Sequence, residues 1–233
     1  TLAQAWIRMA DSEGERGSPV ADSEATIDLR SNLPPRGAPR STTRERLIEA
    51  AIELFGANGV NETSMRDLAT EVGIKAPALY NHFRSKEEIF IEAISITLED
   101  FHSAVTRRDD PKLSGIERLE NMVSRHVIYQ IDHARIAKAN DRLIESSAMD
   151  RLSHEQREAI RSMLRKYLDT MTDICAQVVR DAGREPKDVR LVALAIGSMC
   201  DKVLSWYRPN GKYPKQKIAA HFCRLAKSML EAE

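Results

Sequence analysis

The sequence predicts an all-α protein, with a small N-terminal three-helix domain containing a helix-turn-helix linked to a larger helical domain. Three observations carry that prediction. Aromatic residues make up only 5% of the 233 positions, while long stretches are rich in Ala, Leu, Ile, Glu, Lys and Arg, residues that lose little on entering a helix. Beyond residue 41, apolar positions recur at three- and four-residue spacing between short breaks. No alternating apolar and polar run is flanked by hairpin signals, so no sheet is expected. With 42% hydrophobic residues the chain can build a proper core.

The elements follow in order. In residues 1–40, Gly14, Gly17, Pro19, Pro34, Pro35, Gly37 and Pro39 stand among acids and serines. Such a stretch has little apolar surface to offset the entropy of ordering, so it reads as a flexible arm. Met9 reads as the initiator, with residues 1–8 an upstream extension. Thr42-Thr43-Arg44-Glu45-Arg46 then leads into Leu47, Ile48, Ala51, Ile52 and Phe55, a helical stripe ending between Gly56 and Gly59. Ser64 caps the next helix, whose Met65, Leu68, Ala69 and Val72 share one face. Gly73 stops it in the left-handed conformation, and Ile74 folds back onto the preceding turn. A second short helix starts near Ala76, with Pro77 in its first turn, where the N–H groups have no intrahelical acceptor. Leu79 and Phe83 face the protein, leaving Lys75, Ala76, Ala78, Tyr80, Asn81 and His82 outward.

Ser85-Lys86-Glu87-Glu88 opens a long helix, with acids where the helix dipole favours them. Its stripe of Ile89, Phe90, Ala93, Ile94, Thr97, Leu98 and Phe101 runs to a charged, proline-ended break at 107–111. Further helices are expected at 114–131, 134–149, 153–182, 187–207 and 214–232, and short loops between long amphipathic helices imply a bundle. The organisation is therefore an arm (1–40), a helix-turn-helix domain (41–86) and a helical ligand-binding and dimerisation domain (87–233).

The formal net charge is zero, but its distribution matters more than its sum. Residues 36–86 carry eight basic and six acidic side chains, whereas 1–35 carry three and six. Arg36, Arg40, Arg44 and Arg46 crowd the start of the helix-turn-helix. The end of the arm, 36–41, reads either as lying along phosphates or in a minor groove, or as a solubilising tail. Cys175, Cys200 and Cys223 are odd in number and lack paired metal-ligand spacing, so buried thiols are expected and no metal. No apolar run is long enough to span a membrane and no secretory core opens the chain, so a cytoplasmic protein without a membrane partner is expected.

From Arg44 to about Phe90 the chain resembles the DNA-binding domain of TetR-family transcriptional repressors. The segments that carry the resemblance are 63–69, 72–74 and 78–88, together with the order of parts around them. Lys75 stands where that family usually has a capping serine or threonine, and Pro77 where glycine is frequent. The resemblance implies a homodimer that binds palindromic operator DNA and releases it when a small apolar effector occupies the second domain, with no cofactor. Thr43, Arg44, Ser64, Tyr80, His82, Arg84 and Lys86 are then expected on phosphates, and Lys75, Ala76, Ala78 and Asn81 at base edges. The last two helices correspond to the family's dimer bundle, with Val189, Val192, Ala193, Ile196, Gly197, Phe222, Leu225 and Met229 at the interface; ordinary intradomain core is the other reading.

Pocket liners are expected among the helices around 95–180: His126, Tyr129, Gln130, His133, Arg142, Tyr167 and Met171. Residues 205–211, Ser-Trp-Tyr-Arg-Pro-Asn-Gly, are similar to a Trp-Tyr-x-Pro-x-Gly turn in a TetR subgroup governing fatty-acid and steroid breakdown, which implies an acyl-coenzyme A effector. Two rival readings differ in class. An all-α enzyme using His126, Asp132, His133 and Glu145 lacks a Glu-x-x-His pair, a nucleophile motif and a phosphate loop, and a helical adaptor or ligand carrier would not bind DNA.

Overall fold

The computed structural model describes residues 42–145 and 147–231. The arm, including Arg36 and Arg40, lies outside the described residues. Nine α-helices and no strand occur among the described residues. They are α1 (Thr43–Asn58), α2 (Met65–Val72), α3 (Ala76–Leu79), α4 (Lys86–Phe101), α5 (Gly115–Asp132), α6 (Ala134–Glu145), α7 (His154–Asp181), α8 (Val189–Asp201) and α9 (Lys215–Glu231).

Helix starts follow their caps. Thr42, Ser64, Ser114 and Ser153 each accept from the N3 amide while the N3 Glu, Asp or Gln side chain accepts from the cap's own amide. Such reciprocal boxes satisfy two donors that the helix itself leaves unpaired. Ser85 caps α4 through the Glu88 amide at 3.2 Å. At the other end of α2, Gly73 has φ +73°, and the Ile74 N–H reaches back to the Ala69 carbonyl at 2.9 Å. A side chain at that φ would be strained, which is why glycine stands there.

α1, α2 and α3 close on Leu47, Phe55, Leu68, Leu79 and Phe83, all essentially without solvent exposure. α4 shares its Ile89, Phe90 and Ala93 with that cluster and continues into the larger domain through Leu98 and Phe101. A π-helical turn, His102–Thr106, extends α4 before the chain turns back into α5. There α5, α7, α8 and α9 form a bundle, with α9 lying along α5 and α7 packed on both α5 and α8. Gly115 sits where α5 meets α7: a Cβ there would lie 2.5 Å from the Val178 amide nitrogen, so a larger residue cannot occupy the crossing. α6 leaves the bundle to lie along α1.

Two expected helices end early. The stretch expected as 134–149 is α6 to Glu145 followed by a 3-10 turn at Ser147–Arg151, and 187–207 is α8 to Asp201 followed by a 3-10 turn at Lys202–Ser205. The three cysteines are free and buried, and burial pushes the Cys175 thiol up to about 12 and the Cys223 thiol up to about 11.

Candidate functional site

The outward face of the helix-turn-helix is built by what lies beneath it. Leu79 and Phe83 anchor α3 in the core, and Lys75 precedes it with no side-chain cap bond. α3 is a single turn, after which the His82 and Phe83 amides bond back to the Leu79 carbonyl at 2.9 and 3.1 Å. This turns Tyr80 (55% exposed), Asn81 and His82 to solvent beside Lys75, with Ala76 and Ala78 half-buried between them. Thr43, at the start of α1, is half-buried, and Arg84 is exposed.

Three residues expected on phosphates are engaged within the protein. Arg44 pairs with Glu92 of α4 and its guanidinium lies 4.4 Å above the Phe83 ring, so it ties α1 to the helix-turn-helix and to α4. Lys86 directs Nζ at the carbonyls of Val60 (2.8 Å), Thr63 (3.1 Å) and Asn61 (3.4 Å), closing the α1–α2 loop. The Ser64 hydroxyl is held by its cap, accepting from the Asp67 amide and donating to the Asp67 carboxylate; the Ser64 backbone N–H first, and this hydroxyl second, lower the Asp67 pKa. The reason is common to all three: carbonyls, a carboxylate and a ring lie within reach and need partners. Two features went unread in the sequence. Arg46 donates to the Val72 carbonyl at 2.6 Å, bracing the end of α2, and Arg66 is an exposed cation beside Ser64.

The expected pocket liners separate into four places. Tyr129 and His133, with rings stacked 4.5 Å apart, line a cavity of about 360 Å³ between the π-turn and α5. Asp100, Ala104, Arg108, Arg125 and Ile128 share its wall. Deeper in the bundle, His126, Gln130 and Tyr167 form a buried node with Asp201 of α8. The Asp201 carboxylate accepts from His126 Nε2 (3.0 Å) and Gln130 Nε2 (2.8 Å), leaving His126 Nδ1 to accept from the Tyr167 hydroxyl at 2.8 Å. Burial drives the Tyr167 pKa well up, so the hydroxyl stays protonated and able to donate. Phe101 packs on both rings, at 5.0 Å from His126 and 5.5 Å from Tyr167.

Met171 and Arg142 are not liners. Met171 is wholly buried core, and Arg142, on the α6 face turned to α1, donates to the carbonyls of Gly56 and Ala57 (2.6 Å for the latter). Asp201, the residue that organises the node, had a readable signal: an acid at the end of a largely apolar helix. Arg108 and Arg125 carried none, because a basic residue beside a helix stripe looks like any solvated one.

On the last two helices, Ala193 and Ile196 are fully buried within the protomer, and Val192, Gly197 and Phe222 are nearly so, Phe222 reaching the surface only at a groove. Val189 and Met229 are half-buried. The apolar side chains left outside are Leu191 (64% exposed), Leu225, Trp206 and Tyr213. Trp206 and Tyr213 flank a second, mostly apolar groove of about 340 Å³ that also includes Ile218 and Phe222.

Residues 47–93 match the family described as bacterial regulatory proteins, tetR family, and residues 112–230 match the tetracyclin repressor-like C-terminal domain, more than half of the chain in themselves. The chain belongs to the TetR family. Among curated TetR-family relatives, the HTH-type transcriptional repressor KstR2 of Mycobacterium tuberculosis is 25% identical over 187 residues, covering 79% of this chain and 91% of that protein. A tetR-family regulatory protein from Rhodococcus RHA1 superposes with a TM-score of 0.71 at 26% identity, covering 82% of this chain and 98% of its own. The structure of AibR in complex with isovaleryl coenzyme A and operator DNA gives a TM-score of 0.69 at 21% identity, covering 79% and 97%, a likeness of fold. As a TetR-family protein this is a transcription regulator and not an enzyme. Among the described residues no cluster of His, Cys, Asp and Glu is placed to hold a metal ion, and no helix is long and apolar enough to cross a membrane.

Proposed function

We propose that this TetR-family protein is a ligand-responsive repressor that binds a palindromic operator as a homodimer in the cytoplasm. Its operator is released when a small apolar ligand, an acyl-coenzyme A thioester in the reading we favour, occupies residues 87–233. The observation that carries the DNA half is α3: Leu79 and Phe83 hold it in the core while Lys75, Tyr80, Asn81 and His82 stand free on one side. Residues 41–86 then read DNA, with Asn81, Lys75, Ala76 and Ala78 nearest base edges and Tyr80, His82, Thr43, Arg66 and Arg84 on backbone. One such turn covers few base pairs, so two-fold pairing through the α8–α9 surface would place half-sites about 34 Å or a multiple apart.

The route from effector to operator is supported by continuity. α4 begins at the helix-turn-helix and ends at the cavity, and α6 is strapped to α1 by Arg142 and by the Arg135–Glu53 pair at 2.7 Å. A ligand that prefers the cavity with α4 or α6 displaced would change the separation of the two reading heads, and it acts only as far as that preference goes. The acyl-coenzyme A assignment draws on the Trp206-Tyr207-Arg208-Pro209-Asn210-Gly211 turn and on the fold shared with AibR, which was solved with isovaleryl coenzyme A.

The test is an electrophoretic shift on DNA from the protein's own promoter region. Tyr80→Ala is expected to weaken binding by about tenfold while the dimer stays folded, from the loss of an interface hydrogen bond and ring contact. Binding of the parent protein should also weaken as salt rises, since phosphate contacts release counterions. Unchanged affinity in Tyr80→Ala would remove Tyr80 from the interface, and no salt-sensitive shift at all would sink the DNA reading.

A further inference from the structure

The cavity beside the π-turn has on its wall an arginine with an unused hydrogen-bond donor. Arg125 Nε donates to the Val105 carbonyl (3.1 Å) and Nη1 to the Arg108 carbonyl (3.2 Å), which fixes the guanidinium plane against the end of the π-turn. Its third nitrogen, Nη2, is buried and has no acceptor among the described residues. Arg108 lines the same cavity with its own side chain exposed. Burial pulls the Arg125 guanidinium below the ordinary arginine value; the Asp109 carboxylate opposes this and the Arg108 charge adds to it.

The acids nearby are already engaged. Asp109 takes two bonds from Arg118 (3.0 and 2.6 Å), Asp100 accepts from the Tyr129 hydroxyl (2.9 Å), and Asp132 is bound by Lys215 (2.6 Å). Arg108 and Arg125 share the wall with Asp100 and Asp132, each of which already has a partner, and Ala104 and Ile128 form an apolar flank. A desolvated guanidinium with a spare N–H is a strong binder of carboxylate or phosphate oxygen, because the charged hydrogen bond it makes replaces none that it already had.

We propose that Arg125 and Arg108 form the anion-recognising end of the effector site, taking a phosphate or carboxylate group of the ligand through the Arg125 guanidinium and the Arg108 side chain. This rests on the effector reading above and deepens it. A volume of about 360 Å³ suits a charged head and its neighbouring atoms, with the apolar remainder of the ligand lying over Ala104 and Ile128. An anion held there would bridge α5 to the carbonyl-bearing end of the π-turn, and so to α4.

Isothermal titration of the full chain with inorganic pyrophosphate, coenzyme A and octanoate tests the proposal. The protein should bind at least one of the three, more weakly as salt rises, and both Arg108→Gln and Arg125→Gln should lower that affinity about tenfold. Binding of pyrophosphate and coenzyme A assigns the site to phosphate; binding of octanoate alone assigns it to carboxylate. Arg125 also ties two carbonyls, so Arg125→Gln can lose stability, whereas Arg108→Gln alters an exposed side chain and should keep its fold and operator affinity. If none of the probes binds, or Arg108→Gln binds them as tightly as the parent protein, the anion site is overturned. The effector reading fails separately: operator release by an uncharged sterol without anion binding sinks only the arginine site, while release by no ligand sinks the effector reading itself.

Discussion

At the scale of single residues, what a charged side chain does depends on which unpaired groups the fold brings near it. Lys86 reads as a phosphate contact from its place in the helix-turn-helix, yet its ammonium closes three loop carbonyls. Lys86→Met should therefore cost roughly 1 kcal/mol in urea unfolding, toward the low end of the range for losing hydrogen bonds to acceptors that are only partly buried. Operator affinity should fall only as far as folding does; a loss of affinity at unchanged stability would return Lys86 to the DNA interface. His102 makes a pH prediction. Its Nε2 lies 2.5 Å from the Met163 carbonyl, and burial lowers its pKa from the ordinary 6.5. The folded state then binds its proton less readily than the unfolded chain, so stability is fully present above that value and is lost as pH falls through it toward the folded pKa. Urea midpoints should drop from about pH 7 to about pH 5, and His102→Gln should make that drop shallower. Equal slopes in the two proteins would remove His102 as the cause.

At the scale of elements, starts were legible and ends were not. Ser64, Ser85, Ser114 and Ser153 each stand one residue before a helix and each caps it, because a short hydroxyl followed by an acid or amide three residues on is a local pattern needing nothing from the rest of the fold. The ends of α6 and α8 were overrun, since apolar spacing continues into 3-10 turns with nearly the same period. The contact between α6 and α1 had no local signature at all. Its elements are Arg142 on the last carbonyls of α1, and Gly56, where an added Cβ would stand 2.6 Å from that of Ala139. Arg142 places a cation at a helix C-terminus, worth a few tenths to about 1 kcal/mol at an exposed site. Arg142→Ala is expected to speed amide hydrogen exchange in the last turn of α1 while leaving α2 unchanged; equal protection in both helices would show that the strap contributes nothing.

At the scale of the whole molecule, the partition between core and surface decides how two protomers could meet. Ala193 and Ile196 are buried within the protomer, and the large apolar side chains that α8, α9 and the turn between them leave exposed are Leu191, Leu225, Trp206 and Tyr213. Leu191→Glu should shift sedimentation from dimer toward monomer without lowering helix content, because a carboxylate would be desolvated at the centre of the interface while nothing in the protomer depends on it. A variant that remains dimeric would place the interface elsewhere. The buried His126–Asp201–Gln130–Tyr167 node joins α5, α7 and α8, so the bundle is tied by directional bonds as well as by apolar packing.

The sequence by itself determined the all-α class, the hinge at Gly73, the caps and the identity of the outward residues of α3, because each depends on backbone geometry and spacing within a few residues. It also carried the family. Tertiary structure alone decided which of the charged residues are free: Lys86, Arg44 and Arg142 are occupied by partners 23 to 86 positions away, while Arg125, on a cavity wall, is left with a buried unpartnered donor. Partners that distant are brought together by helix packing, and no periodicity along the chain records which carbonyl or carboxylate will arrive beside which cation.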